Sequence, residues 1–457
     1  MDETAQKIAQ YIAFSTFEDL SPGAVSSARR STLDTIGAML AGSNAPGIET
    51  IVDLATGWGG TEEATLIGFE RKLPVHSAVW CNGSMARALE IDDCVDFLPV
   101  HPSASAVPAL LALAQLRKNI SGKEFITALA IGQDLIIRLG LAVRKNAIQS
   151  GRNNLFKIFG PTAAVARALR LDPSKVQHAL GIAFSHAVGD GQCALDGALS
   201  LRLQQGIVAQ GSLISGLLAE KEFTGAKEFL LGRWGYLKVW EPNPRLQYLT
   251  EYLKKRFYGE QITIKPFSSC RATHPAIDLA LRLSKKHELD PASIRHIKVR
   301  TSPEIHNLVA TPHETKIRPE SAGTAQFSIQ YTVAAAIMRH DMFLAELDPK
   351  IYRDTRILDL ASRIKVEPDP TFRTGSVLGR TVVEIDTEKI GIISAEIESP
   401  LGSPECPLSF EECAEKLRKC AQFAVRPPND KTIEKITERI ARLEELEDVS
   451  SLIVDLG

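Results

Sequence analysis

Cysteine is sparse in this chain. Seven are scattered through 457 residues, and none makes a Cys-x-x-Cys pair. That spacing excludes a disulfide framework, a zinc ribbon and a thioredoxin-like motif, and it suits reduced thiols in a cytoplasmic compartment. Net charge is also nearly absent: 53 Lys and Arg face 55 Asp and Glu, leaving a formal −2. A nucleic-acid protein would carry a basic surplus, so no such partner is expected. No stretch reaches about 18 uninterrupted apolar residues, so no membrane span is expected. The opening Met1-Asp2-Glu3-Thr4-Ala5-Gln6-Lys7-Ile8-Ala9 reads as an acidic amphipathic helix and not as a signal peptide. Two glycine clusters, Gly57-Trp58-Gly59-Gly60 and Gly189-Asp190-Gly191, neither follow a strand nor end in Gly-Lys-Ser/Thr. They are turns and not phosphate loops. There is no internal repeat and no low-complexity segment.

What is present is ordinary globular composition, 44% apolar and 24% charged. The length is too great for one core, so two domains are expected. Residues 1 to about 260 read as helix after helix. Ser21-Pro22-Gly23 opens a helix over 24–41. Ser121-Gly122-Lys123-Glu124 and Asp172-Pro173-Ser174 open others. Alanine-rich stripes, such as Ala163, Ala164, Ala166 and Ala168, let helices approach closely. The character then changes. Gln261 to Lys265 reads as a strand stopped by Pro266, and a helix follows over 275–287. Strands are expected at 293–300, 364–367, 381–385 and 392–397, with a helix over 325–338. Helical spacing returns at 410–423 and 431–443. The expected fold is mostly α with an α+β second domain. Residues 1–262 and 400–457 form an all-helical domain carrying both termini, and 263–399 form an inserted α+β domain.

Chemistry concentrates in two places. The first is Leu89-Glu90-Ile91-Asp92-Asp93-Cys94, with His101-Pro102-Ser103 shortly after. Carboxylates this dense repel one another unless cations, a metal or bound protons offset the charge. With Ala86 to Leu89 read as helix, Glu90 and Asp93 would be neighbours at helical spacing while Asp92 points elsewhere. No second histidine stands at ligand spacing, so no metal is expected. His101 suits proton transfer near neutral pH. Its plainer reading is a loop histidine bonded to a backbone carbonyl. The second place holds Lys265, Arg271 and His274, around a strand end and a helix start. Cations there suit a carboxylate. The plainer reading is a solvated basic connection. Cys270 reads as a buried packing residue.

These segments carry a resemblance. Lys265-Pro266-Phe267-Ser268-Ser269-Cys270-Arg271-Ala272-Thr273-His274-Pro275 resembles the MmgE/PrpD family. That family includes 2-methylcitrate dehydratase, cis-aconitate decarboxylase and iminodisuccinate epimerase. The acidic run with His101-Pro102-Ser103, Leu180-Gly181-Ile182-Ala183-Phe184-Ser185-His186, Ala325-Gln326-Phe327-Ser328 with Tyr331, and Gly402-Ser403-Pro404 with Pro407-Leu408-Ser409 follow in the family's order. The resemblance implies an active site in a cleft between the two domains, no cofactor, a homodimer and a small di- or tricarboxylate substrate. The chain also departs from the pattern. Gly151 stands where dehydratases and decarboxylases usually carry a histidine, with Arg152 beside it; Leu201 replaces a lysine and Gln204 a histidine; Cys94 stands where threonine or tyrosine is common.

The chemistry so implied is abstraction of a proton α to a carboxylate. His101 is the expected base, oriented by Glu90 or Asp93. Lys265 and Arg271, helped by Arg202, would stabilise the enediolate, and His274 or Lys265 would return a proton. Asp92, Cys94, Arg152, Arg202, Gln204 and Arg271 are expected to bind substrate. A hydro-lyase is the first expectation. A dicarboxylate epimerase and a non-catalytic carboxylate binder are the alternatives.

Overall fold

The computed structural model describes residues 2–143, 155–196, 198–372 and 378–457. The chain divides into two compact units, Met1–Ile264 with Ser409–Gly457, and Lys265–Leu408. The second boundary thus falls after Leu408, some residues beyond the expected 399.

The first unit is a helical assembly with small residues at its closest contacts. The helix Pro22–Gly42 starts at Ser21, whose side chain accepts from Ala24 N, with Pro22 in the first turn. Ser121 and Glu124 form a reciprocal capping box that opens Gly122–Ala142. That helix is long and apolar enough to cross a membrane, yet 94% of its apolar window is buried inside the protein. Val75–Ala86 lies against Ser200–Glu220, Ser103–Arg117 and Pro22–Gly42. A Cβ on Gly206 would stand 2.3 Å from Trp80 O, and one on Gly42 2.0 Å from Met85 O. Only glycine permits these approaches. The helices Phe410–Ala421 and Asp430–Ala441 belong to this unit, and Phe410–Ala421 packs on Pro22–Gly42.

Three expectations for these elements change. The first unit is not helical throughout: Ala64–Leu66 pairs with Arg71–Leu73, and Cys94–Val95 with Ile262–Thr263, both antiparallel. The strand read at 261–265 is therefore part of the helical unit. The helix read over 325–338 is broken into Ala322–Gln326 and Ile329–Arg339, because Ser328 turns its hydroxyl to Tyr331 N and caps the second piece. The helix ahead of the acidic run stops at Ala86.

The second unit is built on a four-stranded sheet in the order Ile364–Pro368, Ile294–Thr301, Thr381–Thr387, Gly391–Ile397. The first pair is parallel, in register Ile297↔Ile364 and Val299↔Val366, and the remaining pairs are antiparallel. A parallel neighbour requires a crossover, which the helices between residues 303 and 362 supply. Buried Ile297, Val299, Val383 and Ile385 line one face, and His274–His287 packs against this sheet.

Candidate active site

The acidic run is a turn and not a helical face. After Ala86 the chain reverses, with Glu90 at φ +57°, an uncommon backbone for a residue with a Cβ. Glu90 and Asp93 are therefore not neighbours at helical spacing. Glu90 turns back to Arg87, its Oε1 2.5 Å from Nη1, and Asp92 Oδ1 stands 3.4 Å from the same nitrogen. Burial works against the Arg87 charge, but Glu90 and Asp92 outweigh it and hold the group above its ordinary range.

The carboxylate that meets His101 is Asp92, not Glu90 or Asp93. His101 Nδ1 is 2.8 Å from Asp92 Oδ2 and 2.8 Å from the main-chain oxygen of Asp93. A carbonyl can only accept, so Nδ1 carries a proton and Nε2 is the nitrogen that gains or loses one. The plain reading of His101, a loop histidine on a carbonyl, is thus correct as geometry. That same bond fixes the tautomer a general base needs. Asp92 is fully buried, whereas the His101 side chain keeps 21% of its surface exposed.

Asp93 has a different task. Its carboxyl accepts from Ser103 N at 3.2 Å and from the Ser103 hydroxyl, at the start of the buried helix Ser103–Arg117. Gln133 Nε2 donates to the same hydroxyl at 2.8 Å. Burial pushes the Asp93 carboxyl up to about 8; the Ser103 bonds oppose the shift, and Asp34 and Asp92 add to it. Lys416 closes the turn from the other side, donating to Asp34 Oδ1 at 2.5 Å and to Ile91 O at 2.6 Å. Cys94 lies on the two-residue strand opposite Thr263, buried and within electrostatic reach of Arg87.

A second layer comes from the helix Ser200–Glu220. Gln205 Nε2 donates to His101 O at 3.4 Å. Gln204 Nε2 donates to Asp190 O at 3.0 Å, and its Oε1 accepts from Lys157 Nζ at 3.1 Å. Gln204 is therefore a buried positioning group for Lys157. Arg202 donates to Pro46 O; burial and then the Arg87 charge lower its pKa, with Glu90 opposing. Arg87, Lys157, Gln205, Ser103 and Lys416 were not singled out as site residues by sequence reasoning. Ser103 lies inside the quoted motif and Arg87 just ahead of it, so both were within reach; Gln205 and Lys416 carry no local signal. Gly151 and Arg152 lie outside the described residues. Among the described residues, no group of three or more His, Cys, Asp and Glu is placed to hold a metal ion.

In the second unit, Lys265, Arg271 and His274 are all buried. Arg271 donates to Leu401 O at 2.9 Å and to Ser403 Oγ at 2.7 Å, and its Nη1 is 3.1 Å from His274 Nδ1. The guanidinium can only donate, so His274 accepts at Nδ1 and carries its proton at Nε2, 3.3 Å from Ser269 O. His274 was expected to donate a proton to substrate. Both ring nitrogens have partners inside the unit, and Arg271 beside it holds the 401–403 turn. Gln326 supports the same segment, donating to Ser268 O at 3.3 Å while Cys270 N donates to Gln326 O at 3.0 Å.

Comparison with known proteins now bears on these segments. The model of the MmgE/PrpD N-terminal domain matches residues 6–249, and that of the MmgE/PrpD C-terminal domain matches 267–442. The chain belongs to the MmgE/PrpD family. Among curated relatives, it is 25% identical over 460 residues to the cis-aconitate decarboxylase-like protein oryM of Aspergillus oryzae, covering 95% of this chain and 93% of that one. It is 24% identical over 374 residues to cis-aconitate decarboxylase of Mus musculus, with 78% and 74% covered. Against the Homo sapiens cis-aconitate decarboxylase the figures are 23% over 366 residues, with 77% and 74% covered. The family's C-terminal match runs into Phe410–Ala421 and Asp430–Ala441, which pack with the first unit. Sequence modules and compact units therefore divide this MmgE/PrpD chain at different places.

Proposed function

We propose that the protein is a lyase of a small di- or tricarboxylate, with decarboxylation of a cis-aconitate-like substrate as its reaction. The observation that carries this is the His101 arrangement. Nδ1 is pinned by Asp93 O and Asp92, so Nε2 is left to move a proton at a carbon beside a carboxylate. Buried Asp92 stabilises the imidazolium, much as a carboxylate behind a catalytic histidine does. Arg87, Lys157 and Arg202 supply positive charge for the substrate carboxylates and for charge that develops on carbon. We include buried Lys265 as a further candidate cation. The sequence alone favoured a hydro-lyase. The names of the curated relatives move decarboxylation ahead of it.

The test is incubation with cis-aconitate, citrate and 2-methylcitrate, following carbon dioxide release and ultraviolet absorbance. Decarboxylation releases gas; dehydration raises absorbance as a conjugated double bond forms. Dehydration is the second reading, favoured by the Nδ1–H donation to Asp93 O, which leaves Nε2 as the nitrogen that can take a proton. His101→Ala and Asp92→Asn should each lower kcat, by about 10²- to 10⁴-fold for the loss of the proton-transfer group. Unchanged rates in both variants would remove His101 from the site. Lys265→Met should raise KM if that amine meets the substrate.

A further inference from the structure

The half-buried turn ahead of the helix Phe159–Ala168 holds an amine that neither the family motifs nor the relatives' names assign. We propose that Lys157 is the acid partner of His101: its ammonium group delivers the proton that the substrate carbon receives once carbon dioxide has left. This rests on the function proposed above and names the group that completes it.

Lys157 lies in the short turn Leu155–Ile158, between Phe156 and Ile158, both buried, so the backbone that carries it is anchored on either side. Its Nζ donates to Gln204 Oε1 at 3.1 Å. The orientation of Gln204 is fixed from its other end, where Nε2 meets Asp190 O at 3.0 Å and Cys193 Sγ at 3.0 Å. That leaves the amide oxygen facing the amine. The next residue on the helix, Gln205, donates to His101 O. One helical turn thus ties the lysine and the histidine to the same scaffold. Arg87, which bridges Glu90 and Asp92, acts electrostatically on Lys157 as well.

The surroundings suit a proton donor. Burial and then the Arg87 charge push the Lys157 amine down to about 8, with Cys193 and Asp190 acting in the other direction. An ammonium so placed is charged at neutral pH, yields its proton readily and recovers it from water. The sequence departures gain a reason here. Leu201 cannot supply the family's lysine, and Gln204 stands where a histidine is usual. The Lys157 amine, resting on Gln204, restores a cationic donor to that part of the site.

The step balances without a further reactant. The carbon–carbon bond to the departing carboxylate breaks, and its electron pair stays on the substrate, spread toward a remaining carboxylate. That pair takes a proton from Nζ, and solvent returns one to the neutral amine. One proton is consumed for each carbon dioxide released, and nothing is oxidised or reduced.

The test compares wild type, His101→Ala and Lys157→Ala on cis-aconitate between pH 6 and pH 10. In Lys157→Ala, kcat should fall about 100-fold or more with KM changed no more than about threefold. The alkaline limb of the wild-type profile should vanish. Added ethylamine should restore part of the rate in Lys157→Ala and none in His101→Ala. A Lys157→Ala rate within about threefold of wild type, beside an inactive His101→Ala, overturns the proposal. So does a slow Lys157→Ala whose alkaline limb persists and which ethylamine does not rescue, since that marks a purely structural lysine. A wild type that releases no carbon dioxide from cis-aconitate overturns the proposed function first and the role of Lys157 with it, and the wild-type control separates this result from the others.

Discussion

At the scale of single residues, the neighbouring aspartates divide the labour. Asp92 serves the imidazole, and Asp93 serves the start of the helix Ser103–Arg117. The sequence made the density of carboxylates plain, but not which one faced His101. That choice is set by the Glu90 backbone at φ +57°, which no helical spacing rule anticipates. His101 stood out in the sequence as a histidine before proline and serine, close to three acids, and its plain reading as a loop histidine on a carbonyl is the geometry found. Asp93 yields a pH prediction. The folded protein holds its proton up to about 8, whereas an unfolded chain releases it near 4. The folded state therefore binds the extra proton in that window. This group's contribution is fully present below the lower value and is lost as pH rises through the upper one. Melting curves from pH 4 to pH 9 should show Asp93→Asn gaining on wild type as pH rises. A constant difference across the range would mean that Asp93 is charged throughout.

At the scale of elements, the site depends on how closely Ser200–Glu220 approaches Val75–Ala86. Gly206 sits against Trp80 O and Ser84, directly after the Gln204 and Gln205 that hold Lys157 and His101. Gly206→Ala should cost about 1–3 kcal/mol through overpacking. It should also lower kcat, because the shift passes to both glutamines; chemical denaturation and steady-state assays read the two effects separately. An unchanged kcat in a destabilised protein would uncouple the helix contact from the site. Most elements could be read from periodicity and caps, and Ser21, Ser121 and Asp172 begin their helices as their sequences suggest. The failures share a cause. A two-residue strand such as Cys94–Val95 is held by its partner and has no pattern of its own. A hydroxyl such as Ser328 competes with the helix for backbone bonds, and only the finished geometry shows which wins.

At the scale of the molecule, the helical unit is assembled from both ends of the sequence, with the sheet-bearing unit formed by the residues between. The inserted α+β segment was legible from its change of periodicity. Its closing boundary was not, since residues 400–408 carry no regular element and belong by packing to the second unit. The buried Lys416–Asp34 pair joins the two ends of the helical unit. Removing one partner of a buried pair leaves an uncompensated charge, so Lys416→Met should destabilise by about 3–5 kcal/mol. The double variant Lys416→Met with Asp34→Leu should recover much of that loss, and additive losses would show that the pair does not interact. The same lysine holds Ile91 O, at the heart of the acidic turn. A ribosome therefore makes Asp34, the carboxylates and His101 long before it makes the side chain that secures them. A nascent or prematurely terminated chain ending before residue 416 carries every proposed proton-handling group and lacks the bolt on their loop. The seating of the acidic turn thereby waits on a residue made late in synthesis.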